Sequence, residues 1–258
     1  MDLHALLRLA IAGAAAFLAG GINSVAGGGT LVTFPTLVYL GLPSVIANAT
    51  NTAAIWPGSL GSLWGFRREL READPIMFWL ALPSVLGGVA GALLLRLTPT
   101  HTFDHIIPFL ILFATVLFTV QGPLQKRLGT PHEDRHRSPR WFVTAMLIQI
   151  LVGLYGGYFG AGMGIMMLTV LSVLGMTDIL KMNALTSLYA LCINGIAAVL
   201  FMLAHMVRWH YVLVMAVFAI AGGWGAAGVA RRVGRKAVRR FVIALGYIIT
   251  VVLFIRIM

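Results

Sequence analysis

No Asp, Glu, Lys or Arg occurs between residues 9 and 66, a charge-free run of 58 residues. A soluble fold has no use for such a run, because a globule needs charged side chains to cover its surface. Soluble domains carry about 25% charged residues; this chain of 258 residues carries 10%, with 59% hydrophobic. Further charge-free runs span 75–95, 106–125, 141–177, 182–207, 209–230 and 241–255. One helical crossing of a bilayer takes about 20 apolar residues. High apolar content excludes disorder. The runs are continuous rather than alternating, which argues against a membrane β-barrel. The sequence therefore predicts an all-α polytopic integral membrane protein.

The longest run holds more than two crossings' worth of chain. It divides at its Gly, Asn and Pro clusters into elements at 5–22, 30–40 and 44–66. The later run divides alike, at 141–160 and 164–175, followed by 182–205. Plain spans are expected at 75–96, 103–122, 209–230 and 240–257. Arg8 and the small residues Ala12, Gly13 and Ala14 resemble a signal peptide, but apolar sequence continues past Gly20 with no polar mature start. The segment reads as a span. Cys192, the lone cysteine, reads as a small packing residue.

Internal repeats bear on everything else. Shifted by 135 positions, Gly21 meets Gly156, Ala26 and Gly27 meet Ala161 and Gly162, and Gly29 meets Gly164. Asn48 and Ala49 meet Asn183 and Ala184, Phe66 meets Phe201, Gly87 and Gly88 meet Gly222 and Gly223, and Arg96 meets Arg231. One offset serves throughout, so the chain reads as a duplication. Its halves are 1–125 and 141–258, joined by a basic linker at 126–140.

Basic residues give the orientation. They gather at Arg67, Arg68 and Arg71, in the linker (Lys126, Arg127, Arg135, Arg137, Arg140) and in the loop 231–240. The repeat-equivalent loops carry only Arg96 and Arg208. All three basic loops lie on the cytoplasmic side only if each half crosses an odd number of times. The expectation is two inverted-topology repeats of about four to five membrane elements each, as in secondary transporters. Some elements are short or re-entrant Gly-interrupted helices. Both termini would lie outside a multi-pass protein of the cytoplasmic membrane; the rival is four crossings per half in parallel, with both termini inside. The net charge of +11 is then an insertion signal facing membrane lipid. It calls for no nucleic-acid partner.

The chemistry must come from polar groups inside the apolar runs. Gly20 to Thr30 holds Asn23, Gly27, Gly28 and Gly29, a poor helix centre. Irregular backbone at membrane depth survives only where it lines a cavity or is buried in protein. The helix starting at Thr30 would aim its N–H groups and positive dipole end into the turn, favouring an anion. The second half repeats this with Tyr158, Gly160, Gly162 and Gly164. Small-residue helix packing explains one such run as well as a site does. Recurrence at equivalent places favours a site. Asn48, Thr50 and Asn51, with Asn183, Thr186 and Ser187 as counterparts, offer neutral donors for an oxyanion. Each could equally hydrogen-bond between helices. Lys181, two residues before Asn183, either draws an anion inward or snorkels to the interface. Asp178 reads as a helix cap. Gln149 and Asn194 read as packing, and Tyr155 beside Tyr158 as lining the path. Trp56, Trp64, Trp79, Trp141 and Trp209 read as interface anchors. The histidines lack metal-ligand spacing. No carboxylate pair, P-loop or HExxH motif occurs. An enzyme, a metal and a cofactor are therefore not expected.

The segment 19–35 (AGGINSVAGGGTLVTFP), with Gly41-Leu42-Pro43 and Ala47 to Asn51, resembles the sulfite exporter TauE/SafE family. The likeness extends over the second copy at Gly160 to Gly164, Gly175 and Asn183. There Met163 and Val170 replace a fuller glycine run and its proline. The resemblance implies a duplicated permease that moves sulfite, a sulfonate or a related sulfur oxyanion. A passive anion channel and a non-transporting membrane scaffold are the alternatives. The coupling ion, transport direction and oligomeric state are left open by the sequence.

Overall fold

In the computed structural model of the chain, residues 3–25, 28–128, 139–233 and 235–257 are described. They form α1 (Leu3–Val25), α2 (Thr30–Tyr39), α3 (Ser44–Gly65), α4 (Arg67–Arg71), α5 (Pro75–Phe78) and α6 (Ala81–Leu97). Then follow α7 (Thr100–Leu128), α8 (Pro139–Tyr158), α9 (Met163–Val173), α10 (Ile179–Leu203), α11 (Trp209–Val233) and α12 (Arg235–Ile257). Among the described residues there is no strand. Among the described residues, five stretches are long and apolar enough to cross a membrane: Leu3–Asn23, Pro75–Leu97, Thr100–Val120, Ile179–Leu203 and Ala237–Ile255. The fold is all-α and polytopic.

Local chemistry sets the ends. Asp178 Oδ1 accepts from the N–H groups of Leu180 (2.9 Å) and Lys181 (3.3 Å), capping α10 as expected. Asp74 caps α5 through Ile76 N–H at 3.0 Å. The span expected at 75–96 is broken at Trp79 and Leu80 into α5 and α6. Pro83 has no N–H to return to the Trp79 carbonyl, which accepts from the Leu82 N–H at 3.2 Å instead. The elements that follow the two glycine turns, α2 and α9, stay short, at 10 and 11 residues. Such lengths cover about half a bilayer core at 1.5 Å per residue.

The helices pack in exchanged pairs. α1 lies on α11, and its repeat-equivalent α8 lies on α6, the equivalent of α11. α3 packs on its own equivalent α10, and α7 on its equivalent α12. Both self-equivalent pairs run antiparallel. Along α7 the contacts climb through Phe109, Thr115 and Thr119, while on α12 they descend through Phe254, Gly246 and Arg239. Trp56 of α3 meets Leu191, whereas Thr50, earlier in α3, meets Arg208, beyond the end of α10. Equivalent helices that pack antiparallel are exchanged by an axis perpendicular to their length, which is the geometry of inverted repeats.

The core follows the apolar pattern. Leu31, Phe34, Leu37, Phe103, Ile111 and Phe118 are buried around α2 and α7; Met167, Leu171, Leu185 and Tyr189 are buried around α9 and α10. Outward faces stay apolar. On α12, Ile248, Val251, Val252 and Ile255 are exposed at i, i+3, i+4 and i+7, a stripe that only lipid covers at no cost.

Candidate functional site

α3 carries a polar stripe into this apolar interior. Ser44, Asn48 and Asn51 are 2%, 1% and 1% exposed, and their i, i+4, i+7 spacing puts them on one face. Asn48 Nδ2 donates to the carbonyl of Tyr158 at 2.9 Å. That bond fixes the amide orientation and ties α3 to the last residue of α8, at the lip of the second glycine turn. The Thr52 hydroxyl donates back to the Asn48 carbonyl at 3.0 Å. Thr50 Oγ1 accepts from the Arg208 N–H at 3.1 Å, holding the start of α11.

The second turn is built to stay open. Gly160 and Gly162 have φ of +80° and +77°, a left-handed conformation that costs a residue with a Cβ dearly. The Tyr155 hydroxyl donates to the Ala161 carbonyl at 2.6 Å, pinning the turn back onto α8. Gly164, in the first turn of α9, adjoins Thr186: a Cβ there would stand 3.7 Å from Thr186 Cγ2, with nothing else within 4 Å. A Cβ on Gly160 would stand 3.8 Å from Asn194 Oδ1. Asn194, expected to be packing, therefore faces the turn. Around it stand edge-to-face rings: Phe34 on Phe159 (5.4 Å), Phe103 on Tyr158 (5.6 Å) and Phe113 on Tyr155 (5.4 Å).

Besides Glu69 Oε2 on α4, four buried oxygens on α3 and α10 have no hydrogen-bond partner among the described residues: Ser44 Oγ, Asn48 Oδ1, Asn51 Oδ1 and Thr186 Oγ1. Leaving such a group unmet costs about 1–3 kcal/mol each. Asn51 and Thr186 are equivalent under the 135-residue offset, so both repeats place an unmet oxygen at the same position.

The first turn is different. Asn23 Oδ1 accepts from Gly28 N–H at 2.9 Å and Gly29 N–H at 2.8 Å. Two N–H groups expected to face a ligand are thus taken up by Asn23, which closes the turn. Gly28 sits against the Phe118 ring, and Thr30 is 8% exposed at the start of α2. Gly27 lies outside the described residues. Ser187 donates to the Asn183 carbonyl of its own helix at 2.9 Å. Asn183 is half-buried. Lys181 Nζ lies 3.5 Å from the Glu72 carboxylate, with 31% of its side chain exposed. Its charge answers Glu72 at the rim of the fold.

Two residues escaped the sequence reading. Trp56 is no interface anchor: its Nε1–H donates to the Leu191 carbonyl at 3.2 Å, between α3 and α10. The signal was available, because residues 56 and 191 are themselves 135 apart. Ser44 joins the stripe one turn before Asn48, and helical spacing alone would have found it. Gln149, read as packing, donates to Ser84 Oγ at 2.7 Å between α8 and α6.

Comparison with known proteins agrees with this architecture. The sequence model described as "Sulfite exporter TauE/SafE" matches residues 12–253. A "Probable membrane transporter protein" of Haemophilus influenzae is 31% identical, over 94% of this chain and 92% of that protein. "Probable membrane transporter protein ORF9" of a Sinorhizobium species is 29% identical over 95% and 90%. "Probable membrane transporter protein YfcA" of Escherichia coli K12 is 29% identical over 88% and 82%. No solved structure matches the chain. With the match covering nearly all its helices, the chain belongs to the sulfite exporter TauE/SafE family and is a multi-pass membrane transporter.

Proposed function

We propose that the protein is a secondary transporter that moves a small anion, a sulfur oxyanion such as sulfite or an organosulfonate, across the cytoplasmic membrane by alternating access. The observation that carries this reading is the second glycine turn. There a broken helix meets an open position at Gly164 beside the Thr186 hydroxyl, and the neutral amide of Asn48 is tied to the lip of the turn. At the start of α9 the N–H groups of Met163, Ile165 and Met166 donate to the Gly160 and Gly162 carbonyls, so an oxyanion would meet the helix dipole and the Gly164 N–H, with the Thr186 hydroxyl beside them. Binding without a formal countercharge leaves the anion releasable. The repeats, 1–125 and 141–258 about the linker 126–140, would rock against one another around this centre.

The proposal is tested by sulfite and sulfonate flux into proteoliposomes. Gly164→Ala adds a methyl group where there is room, so the fold should persist. Gly164→Leu should fill the space beside Thr186 and lower flux by about tenfold or more, the order lost when a positioned group is displaced. Unchanged flux in a folded Gly164→Leu protein would remove this site from the pathway. Orientation is tested separately. Reporter fusions at residues 130 and 238 should read as cytoplasmic, and fusions at either terminus as external. An external signal at 238 would end the inverted reading.

A further inference from the structure

Two of the four unmet oxygens, the amide oxygens of Asn48 and Asn51, raise a problem for a site that binds only an anion, whereas the Ser44 and Thr186 hydroxyls can donate. Asn48 donates one amide N–H to the Tyr158 carbonyl, and its Oδ1, an acceptor, is left without a partner. Asn51 likewise presents an unmet Oδ1, and Ser44 an unmet Oγ. Carbonyl oxygens repel an oxyanion. They suit a cation or a water molecule. The surroundings lean the same way. Tyr158 is the last residue of α8, so its carbonyl lies at the negative end of that helix's dipole. Discontinuous helices in transporters use such C-terminal ends and carbonyls for a coupling cation, and the following N-terminal end for an anionic substrate.

We propose that Asn48 and Asn51 form a binding site for a small monovalent cation, with sodium as the ion that fits it, and that this cation is cotransported with the anion held at the second glycine turn. The assignment rests on the functional reading above. Reach supports the pairing. Residues three apart on a helix have Cβ atoms about 5–6 Å apart, and hard cations of this size take oxygens at about 2.3–2.6 Å. Two asparagine side chains can therefore close on one ion. Ser44 lies a turn beyond Asn48, about 10 Å along the axis from Asn51, so it flanks the ion's path rather than sharing the same ion with Asn51. Charge supports monovalence. The stripe contains no carboxylate, and affinity for divalent ions rises with the count of charged ligands. Neutral carbonyl oxygens are the ligands that hold alkali ions in channels. Asparagine oxygens do not titrate, so a proton would not be stored there.

The test uses the purified full chain and radioactive sodium as the probe. Wild type should bind sodium saturably, and an inward sodium gradient should accelerate sulfite flux in proteoliposomes. Asn51→Leu should weaken sodium binding by about tenfold or more, at least what disturbing a ligand's support costs at metal sites. Asn51→Asp should restore or tighten it, a rescue that a purely structural role would not give. Absence of saturable sodium binding in wild type, with sulfite flux intact and indifferent to sodium, lithium and potassium, would overturn the cation site while leaving the transporter reading. Water would then be the occupant. Sodium binding lost in Asn51→Leu and kept in Asn51→Asp, with no anion flux in any protein, would uphold the site and overturn the anion-transport reading.

Discussion

Gly222→Ala is expected to abolish the native packing of α1 on α11. A Cβ at Gly222 would overlap the Phe17 carbonyl oxygen and stand 2.7 Å from the Phe17 carbonyl carbon. Both obstacles are backbone, so no side-chain rotation relieves them. Overpacking costs about 1–3 kcal/mol where side chains can adjust, and more where they cannot. Without a hydrophobic force between helices in lipid, such close contact supplies much of the attraction that is lost. The equivalent seam repeats the device: a Cβ on Gly87 would overlap the Ile150 carbonyl, one on Gly91 the Leu154 carbonyl, and one on Gly157 the Gly88 carbonyl. Gly61 of α3 is the control, because a Cβ there meets nothing within 4 Å. Gly61→Ala should be neutral or stabilising by up to about 1 kcal/mol, from helix propensity alone. Thermal unfolding in detergent, followed by the monodisperse fraction, separates the two. Equal behaviour of the Gly222 and Gly61 variants would refute the seam.

Asn48→Asp is expected to be the most damaging isosteric change in the interior. It exchanges a donor for an oxygen opposite the Tyr158 carbonyl, 2.9 Å away, and adds charge at a residue 1% exposed. Breaking a buried hydrogen bond so that two acceptors face each other costs about 1–3 kcal/mol, and a buried unpaired carboxylate more. Asn48→Ala removes the bond without the repulsion, so it should be milder in stability. Both should lower anion flux by about tenfold or more, because the end of α8 loses its tie to α3 and the turn loses its position. Flux and melting temperature are measured on the same preparations. An Asn48→Asp protein with wild-type melting and wild-type flux would show that the bond positions nothing.

Most of the fold was legible in the sequence because the bilayer allows few answers. Charge-free length marks spans, and the glycine clusters marked the breaks before α2 and α9. The 135-residue offset located equivalent helices, including the Asn51 and Thr186 pair. Pro83 stood in the sequence as well, but the surrounding apolar run concealed the break at Trp79. The site was legible in composition and not in geometry. Asn23 and Asn48 looked alike as polar residues inside one apolar run. One caps its own turn and the other reaches Tyr158, 110 positions away. Lys181 read equally as an anion lure or a snorkelling residue, and the structure places Glu72 beside it.

The sequence by itself determined the solvent and the helical class, since each follows from one-dimensional patterns of apolarity and charge. Only the tertiary structure decided which polar groups are spent and which are left over. A hydrogen bond depends on a partner brought in from a distant helix, and Asn48 gives its N–H to Tyr158 only because α3 packs against the end of α8. The oxygens that remain on Ser44, Asn48, Asn51 and Thr186 are a remainder of packing, which no pattern along the chain records.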